Sequence, residues 1–128
     1  MTDPGRHEDD RGVIADLLVT PLDAVTEIFT RKGAIRGNHV HRETTQWTYV
    51  VSGLLRVVTQ QGGGPLRDRV YGPREMACEL PGVTHAWEAL EDTVVLVFTS
   101  GPRSGTAYET DTERLPEAER LPSDPCWI

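Results

Sequence analysis

Four histidines occur in the 128-residue chain, at positions 7, 39, 41 and 85. His39 and His41 are two apart in Gly37–His41, a stretch that reads as a β-strand, so both imidazoles project from one face. Gln46 follows after a short connection, beside a second predicted strand, and His85 opens a later one directly after the turn Leu80-Pro81-Gly82. Two imidazoles from one strand, an oxygen from the next and a third imidazole from another hairpin can converge on one point. Neutral imidazole is the commonest protein ligand for divalent transition metals. His39, His41, Gln46 and His85 are therefore candidate ligands of zinc, iron, nickel or manganese. An amide oxygen at Gln46 is neutral, so a bound ion would keep its full charge and act as a stronger Lewis acid.

The elements that must position these residues are short strands. Apolar runs broken by turn residues predict strands at Val13–Leu18, Val25–Thr30, Gly37–His41, Trp47–Ser52, Leu54–Gln60, Leu66–Tyr71, Met76–Leu80, His85–Ala89 and Thr93–Thr99. Gly33, Gly53, the run Gly62–Pro65, Gly72-Pro73, Pro81-Gly82 and Gly101-Pro102 punctuate them. With 12 Gly, 9 Pro and 38% hydrophobic residues the chain is too turn-rich for a helical bundle. Near-regular short strands indicate an all-β sandwich or barrel. A tight turn at Gly53 pairs the strands on either side of it.

Length allows one domain, expected over residues 13–108, with a flexible, polar segment at 1–12 and an acidic, Pro-containing tail at 109–128. The tail offers at most one helical turn, around Glu117–Leu121. The formal charge of −7 sits mostly in those ends: residues 1–12 carry two basic and four acidic groups, residues 109–128 two and six. Nothing in that balance favours nucleic acid or an anionic membrane surface as a partner. Cys78 and Cys126 make no disulfide framework, and no signal peptide or membrane-length apolar run is present, so the expected setting is cytoplasmic with reduced thiols.

One spacing is specific. Gly33, five residues, His39-Val40-His41, four residues, Gln46, six residues and Gly53 resembles the first motif of the cupins, which usually place Glu where Gln46 stands. Pro81-Gly82-Val83-Thr84-His85 resembles their second motif, with Leu80 in place of its first Pro and Ala89 in place of its Asn. The resemblance spans about residues 13–100 and implies a double-stranded β-helix, a small jelly-roll-like barrel. Arg36-Gly37-Asn38-His39-Val40-His41 is in turn similar to a stretch of the ketoisomerases that act on deoxythymidine-diphosphate keto-deoxyhexoses. It also resembles the cupin domain of capsular-polysaccharide reductase/epimerases. The second resemblance implies that His39, His41, Gln46 and His85 hold a metal, with Arg36 near the mouth to meet a phosphate or sugar oxygen. The first implies that the histidines are acid/base groups without a metal.

Around the site, His85 and Trp87 share a strand face, which makes Trp87 a candidate pocket wall. Trp47 and Tyr49 lie on the face opposite Gln46. Tyr49 joins Arg36 and Trp87 as a candidate substrate contact, and Trp47 is expected to face a second sheet or a dimer partner. Glu79 and Glu75 are candidate acid/base groups by strand position, Glu79 the one carried forward, and Cys78 reads as a buried, inert thiol. Three functions fit: an isomerase or epimerase on a sugar nucleotide or related keto compound, a metal-dependent oxygenase on a small organic substrate, or a non-catalytic small-molecule-binding module. A homodimer is expected, with Val13–Leu18 at the interface.

Overall fold

The structure, a computed structural model, describes residues 5–102 and 105–114. Its strands are β1 (Arg6–Asp9), β2 (Gly12–Ala15), β3 (Ala24–Thr30), β4 (Ile35–His41), β5 (Thr45–Ser52), β6 (Leu55–Gln61), β7 (Arg67–Tyr71), β8 (Met76–Glu79), β9 (Val83–Ala89), β10 (Thr93–Ser100) and β11 (Thr112–Arg114). One helix, α1 (Gly105–Asp111), precedes β11. Two antiparallel sheets carry the fold, one in the order β3-β10-β5-β8 and the other β11-β4-β9-β6-β7. Each of the nine expected strands has its counterpart, with no end moved by more than three residues.

Alternation explains how the sheets meet. In β10 the residues Thr93, Val95, Val97 and Thr99 are buried while their neighbours are half-exposed, the period-two pattern of a strand with one face on a core. Val50, Ala77, Val95 and Val97 of one sheet pack with Leu55, Val57 and Trp87 of the other. Each of these Val and Leu side chains contributes about 1.5–3 kcal/mol when fully buried. The turn between β5 and β6 needs glycine: Gly53 has φ 96°, and a Cβ there would lie 2.5 Å from the Asp92 carbonyl oxygen.

Four elements depart from expectation. The strand expected over Val13–Leu18 is β2 and ends at Ala15, and its partner β1 lies within the first dozen residues. Arg6-His7-Glu8-Asp9 has no apolar residue to signal a strand. It is held by backbone pairing and by short ion pairs, Arg6 to Glu8 at 3.2 Å and Arg11 to Asp9 at 2.7 Å. At the other end, α1 and β11 occupy residues expected to begin an acidic tail, and the boundary expected after residue 108 falls inside α1. Strand β11 exists because the edge of β4 is open to it, and Thr112 pairs with His41 in register. The helical turn expected at Glu117–Leu121 and Cys126 lie outside the described residues. Cys78 is exposed rather than buried, because it takes the outward position between Ala77 and Glu79 on β8.

Candidate functional site

The site is built on β4 and β9, which run side by side. Strict alternation along β4 would put Gly37, His39 and His41 on one face and Arg36 on the other. A β-bulge changes that parity. The register shifts between Gly37 and His39, so that Arg36 pairs with Trp87 while His39 pairs with His85. Gly37 and Asn38 both take positive φ, 91° and 58°, the backbone that lets one extra residue fit into the strand. A Cβ on Gly37 would lie 2.9 Å from the His85 carbonyl oxygen, so the close approach of the two strands needs glycine there. Arg36 thereby joins the histidine face.

His39, His41 and His85 converge. Their ring centroids are 4.6 Å apart for His39 with His41 and for His39 with His85, and 5.7 Å for His41 with His85. One nitrogen from each comes within 4.8 Å of the other two. The two histidine-bearing segments are tied together, since the Gly82 amide in the turn before β9 donates to the His41 carbonyl oxygen at 2.8 Å. Burial holds the His85 imidazole neutral, with its pKa pushed down to about 3, and the proximity of His39 and His41 acts in the same direction. His85 Nδ1 is buried with no hydrogen-bond partner.

These rings form one side of a cavity of about 240 Å³, lined also by Ile28, Arg36, Gly37, Gln46, Trp87 and Val97. Arg36 is held at its edge: Nε donates to Thr30 Oγ1 at 2.9 Å and Nη2 to the Phe29 carbonyl at 3.2 Å. Trp87 is the wall the sequence suggests, and its indole N–H is buried without a completed hydrogen bond. Gln46 lines the cavity as expected. Glu79 does not; it stands behind Gln46, accepting hydrogen bonds from Gln46 Nε2 at 3.1 Å and from Thr48 Oγ1 at 3.1 Å. Burial raises its pKa to about 7, while Thr48, the nearby Trp87 indole and Gln46 act the other way.

Tyr49 is not in this cavity. It faces outward from β5 into a separate, larger cleft of about 780 Å³ with Arg6, Val13, Asp16, Arg74 and Met76. Trp47 shares that outer face, half-buried opposite Phe98. Glu75 caps the turn after β7, accepting from the Gly72 amide at 2.8 Å.

One pair of residues escapes sequence reasoning altogether. Asp111, at the end of α1, is 4% exposed, and its carboxylate lies 3.4 Å from His41 Nδ1. Thr112 Oγ1 is 3.1 Å from the same nitrogen. Asp111 also accepts from the Glu43 amide and the Thr44 hydroxyl, both at 2.6 Å, and so ties the β4–β5 connection to the helix. A carboxylate behind an imidazole fixes its tautomer and raises its basicity. Nothing in local spacing signals this, because 71 residues separate Thr112 from His41.

The donor set fits a divalent transition metal. Three imidazole nitrogens converge, the Gln46 carbonyl oxygen meets no donor among the described residues, and one histidine has a buried carboxylate behind it.

A family model described as Cupin matches residues 19–118. Among solved structures, the chain is similar to dTDP-4-dehydrorhamnose 3,5-epimerase from Sulfolobus tokodaii at TM-score 0.72 and 18% identity, covering 94% of this chain and 78% of that one. It is similar to the sugar 3,4-ketoisomerase QdtA from Thermoanaerobacterium thermosaccharolyticum, solved with TDP, at TM-score 0.70 and 17% identity, covering 86% and 82%. It is also similar to the capsular polysaccharide assembling protein CapF from Staphylococcus aureus, at TM-score 0.67 and 24% identity. That match covers 86% of this chain and 32% of CapF, so the chain spans about a third of that protein. At these identities the likeness is one of fold. A search of curated proteins finds no match.

Proposed function

This chain belongs to the cupin family, and from that premise we propose that it is an isomerase or epimerase acting on the keto sugar of a sugar nucleotide or a related keto compound. The observation that carries the reading is the pairing of His41 with buried Asp111 on a wall that also presents His39 and Arg36. Moving a proton on a carbon next to a carbonyl needs a base whose proton affinity rises as it works. A carboxylate behind the imidazole supplies that, because it stabilises the imidazolium that forms. His41 takes the proton in this reading, and His39, 4.6 Å away ring to ring, returns one. Arg36 keeps its Nη1 available for a phosphate or sugar oxygen at the edge of the cavity. Epimerases and ketoisomerases of dTDP-sugars share the fold, which supports the substrate class.

The cavity volume sets the scale of the substrate. About 240 Å³ is below the range of about 300–1,000 Å³ typical of drug-sized ligands. It suits one sugar ring, leaving the nucleoside diphosphate outside, along Arg36. In a metal-loaded form of the same site His39, His41, His85 and Gln46 would instead hold a divalent transition metal, which would polarise a carbonyl oxygen as a Lewis acid, and the two histidines would then be ligands and not proton carriers. Three neutral imidazoles, which would leave open positions on a bound ion for substrate and dioxygen, also support a second reading, a metal-dependent oxygenase using iron, nickel or manganese.

The test is solvent deuterium incorporation into TDP-4-keto-6-deoxyglucose, followed by proton NMR. The expected result is exchange at the carbon beside the carbonyl, abolished in His41→Ala and slowed by about 10–100-fold in Asp111→Asn. No exchange by the wild type, with or without added metal, overturns the reading. Oxygen uptake after anaerobic loading with Fe(II) would then favour the oxygenase, and a ligand-induced rise in melting point alone the binding module.

A homodimer completes the proposal. Val13, Ile14 and Val19 are 48%, 69% and 84% exposed, and Val25 and Phe29 on the edge strand β3 are also exposed. Light scattering should give twice the chain mass, and a monomer at micromolar concentration would remove this part.

A further inference from the structure

Where most cupins place Glu, this site has Gln46, and the carboxylate nearest to it is Glu79. The two residues face each other in register across β5 and β8. Glu79 is 2% exposed and contributes nothing to the cavity wall. Its Oε2 accepts both the Gln46 Nε2 bond and the Thr48 hydroxyl bond. The two ends of a glutamine amide are nearly equal in size, so packing alone hardly chooses between its two orientations. A carboxylate oxygen that carries no proton does choose, because it accepts hydrogen bonds and cannot donate them, and Oε2 already accepts two. With its nitrogen turned to Glu79, the Gln46 amide turns Oε1 the other way, to the cavity side, where no donor among the described residues meets it.

We propose that Glu79 is a positioning residue that acts through Gln46, fixing the amide so that Oε1 joins the nitrogens of His39, His41 and His85 as a fourth, uncharged ligand atom for a divalent cation. The inference rests on reading the histidine cluster as a cation site. It gives Glu79 a role other than acid/base catalysis: the negative charge stands behind the ligand instead of on it, and a glutamate at position 46 would put two carboxylates in the contact that Gln46 and Glu79 now share. Removing a group that orients a metal ligand weakens affinity by about 10–100-fold.

Two measurements test it. The first uses the chelator-treated protein and follows the side-chain NH₂ resonances of Gln46 by ¹H–¹⁵N NMR. One amide proton should be shifted downfield and slow to exchange in the wild type, and should lose both properties in Glu79→Met. The second titrates Co²⁺ and reads its visible absorption. Affinity should fall about tenfold in Glu79→Gln and further in Glu79→Met. It should exceed the wild type in the double variant Gln46→Glu/Glu79→Gln, which exchanges the carboxylate and the amide and so keeps the same pair of groups for folding. Unchanged Gln46 resonances together with unchanged Co²⁺ affinity in both Glu79 variants would overturn the proposal. If the wild type takes up no Co²⁺ the cation reading fails, and the NMR of the metal-free protein alone decides whether Glu79 orients the amide.

Discussion

The Asp111 carboxylate lies 3.4 Å from His41 Nδ1, both groups almost wholly buried, with the Thr112 hydroxyl 3.1 Å from the same nitrogen. A segment that reads as part of an acidic tail thus completes the histidine cluster. The same carboxylate accepts from the Glu43 amide and the Thr44 hydroxyl, so it serves the β4–β5 connection and the imidazole together.

Asp111→Ala leaves the Glu43 amide and the Thr44 hydroxyl without this acceptor, and leaves His41 Nδ1 facing the Thr112 hydroxyl without the carboxylate. A buried hydrogen-bonding group deprived of its partner costs about 1–3 kcal/mol. Urea denaturation should record a loss of about 3 kcal/mol, with Asp111→Asn losing less. The ¹⁵N shifts of His41 should report Nδ1–H in the wild type and a tautomer mixture in either variant. A wild-type tautomer in Asp111→Ala would rule out the assigned role.

Gly37→Ala should damage the site and the fold together. The added Cβ meets the His85 carbonyl oxygen at 2.9 Å in a backbone with φ 91°, a conformation that costs a non-glycine residue about 1–3 kcal/mol. Thermal unfolding should show at least that loss, and Co²⁺ uptake should weaken because β4 must move away from β9. Alanine at Gly63, which meets no atom within 4 Å, serves as the control and should change neither.

Arg36→Lys keeps the charge and loses the fork. A lysine cannot reproduce both the Thr30 and the Phe29 bonds while presenting a further donor. Calorimetry with TDP should give an affinity about tenfold lower than the wild type. Equal affinity would mean that the diphosphate does not lie along Arg36.

Stability of the metal-free protein should depend on pH in three stages. The His85 pKa falls from 6.5 to about 3 on folding, so its contribution of about 5 kcal/mol is complete above pH 6.5 and is lost as pH falls toward 3. The Glu79 pKa rises from 4.5 to about 7, so its contribution of about 3 kcal/mol is complete below pH 4.5 and is lost as pH rises through 7. Stability should therefore climb from pH 3 to 4.5, stay level to 6.5, where the two slopes cancel, and then fall. His85→Asn should remove the acid-side climb. A urea midpoint that keeps rising through pH 7 would contradict the Glu79 part.

The strands and the histidine cluster were legible because each rests on a local signal. Alternation marks the buried face of β10, glycine and proline mark the turns, and the spacing of His39, His41 and His85 follows from strand parity and one hairpin. Arg36 shows where that logic stops. Parity assigns it to the face opposite His39, and the bulge at Gly37 and Asn38 reverses the assignment. The same parity rule, applied to an unbroken strand, correctly turns Tyr49 and Gln46 to opposite faces, and the cavity excludes Tyr49 accordingly.

By itself, then, the sequence determined an all-β cupin barrel and the three imidazoles that meet inside it, since both depend on patterns a few residues long. Only the tertiary structure decided that Glu79 stands behind Gln46, that Arg36 joins the histidine face, and that Asp111 supports His41. Two of these are contacts between strands or segments distant along the chain, and the third follows from the bulge that lets β4 pack against β9. A buried carboxylate takes its partner from the three-dimensional packing around it, and no spacing along one strand encodes that choice.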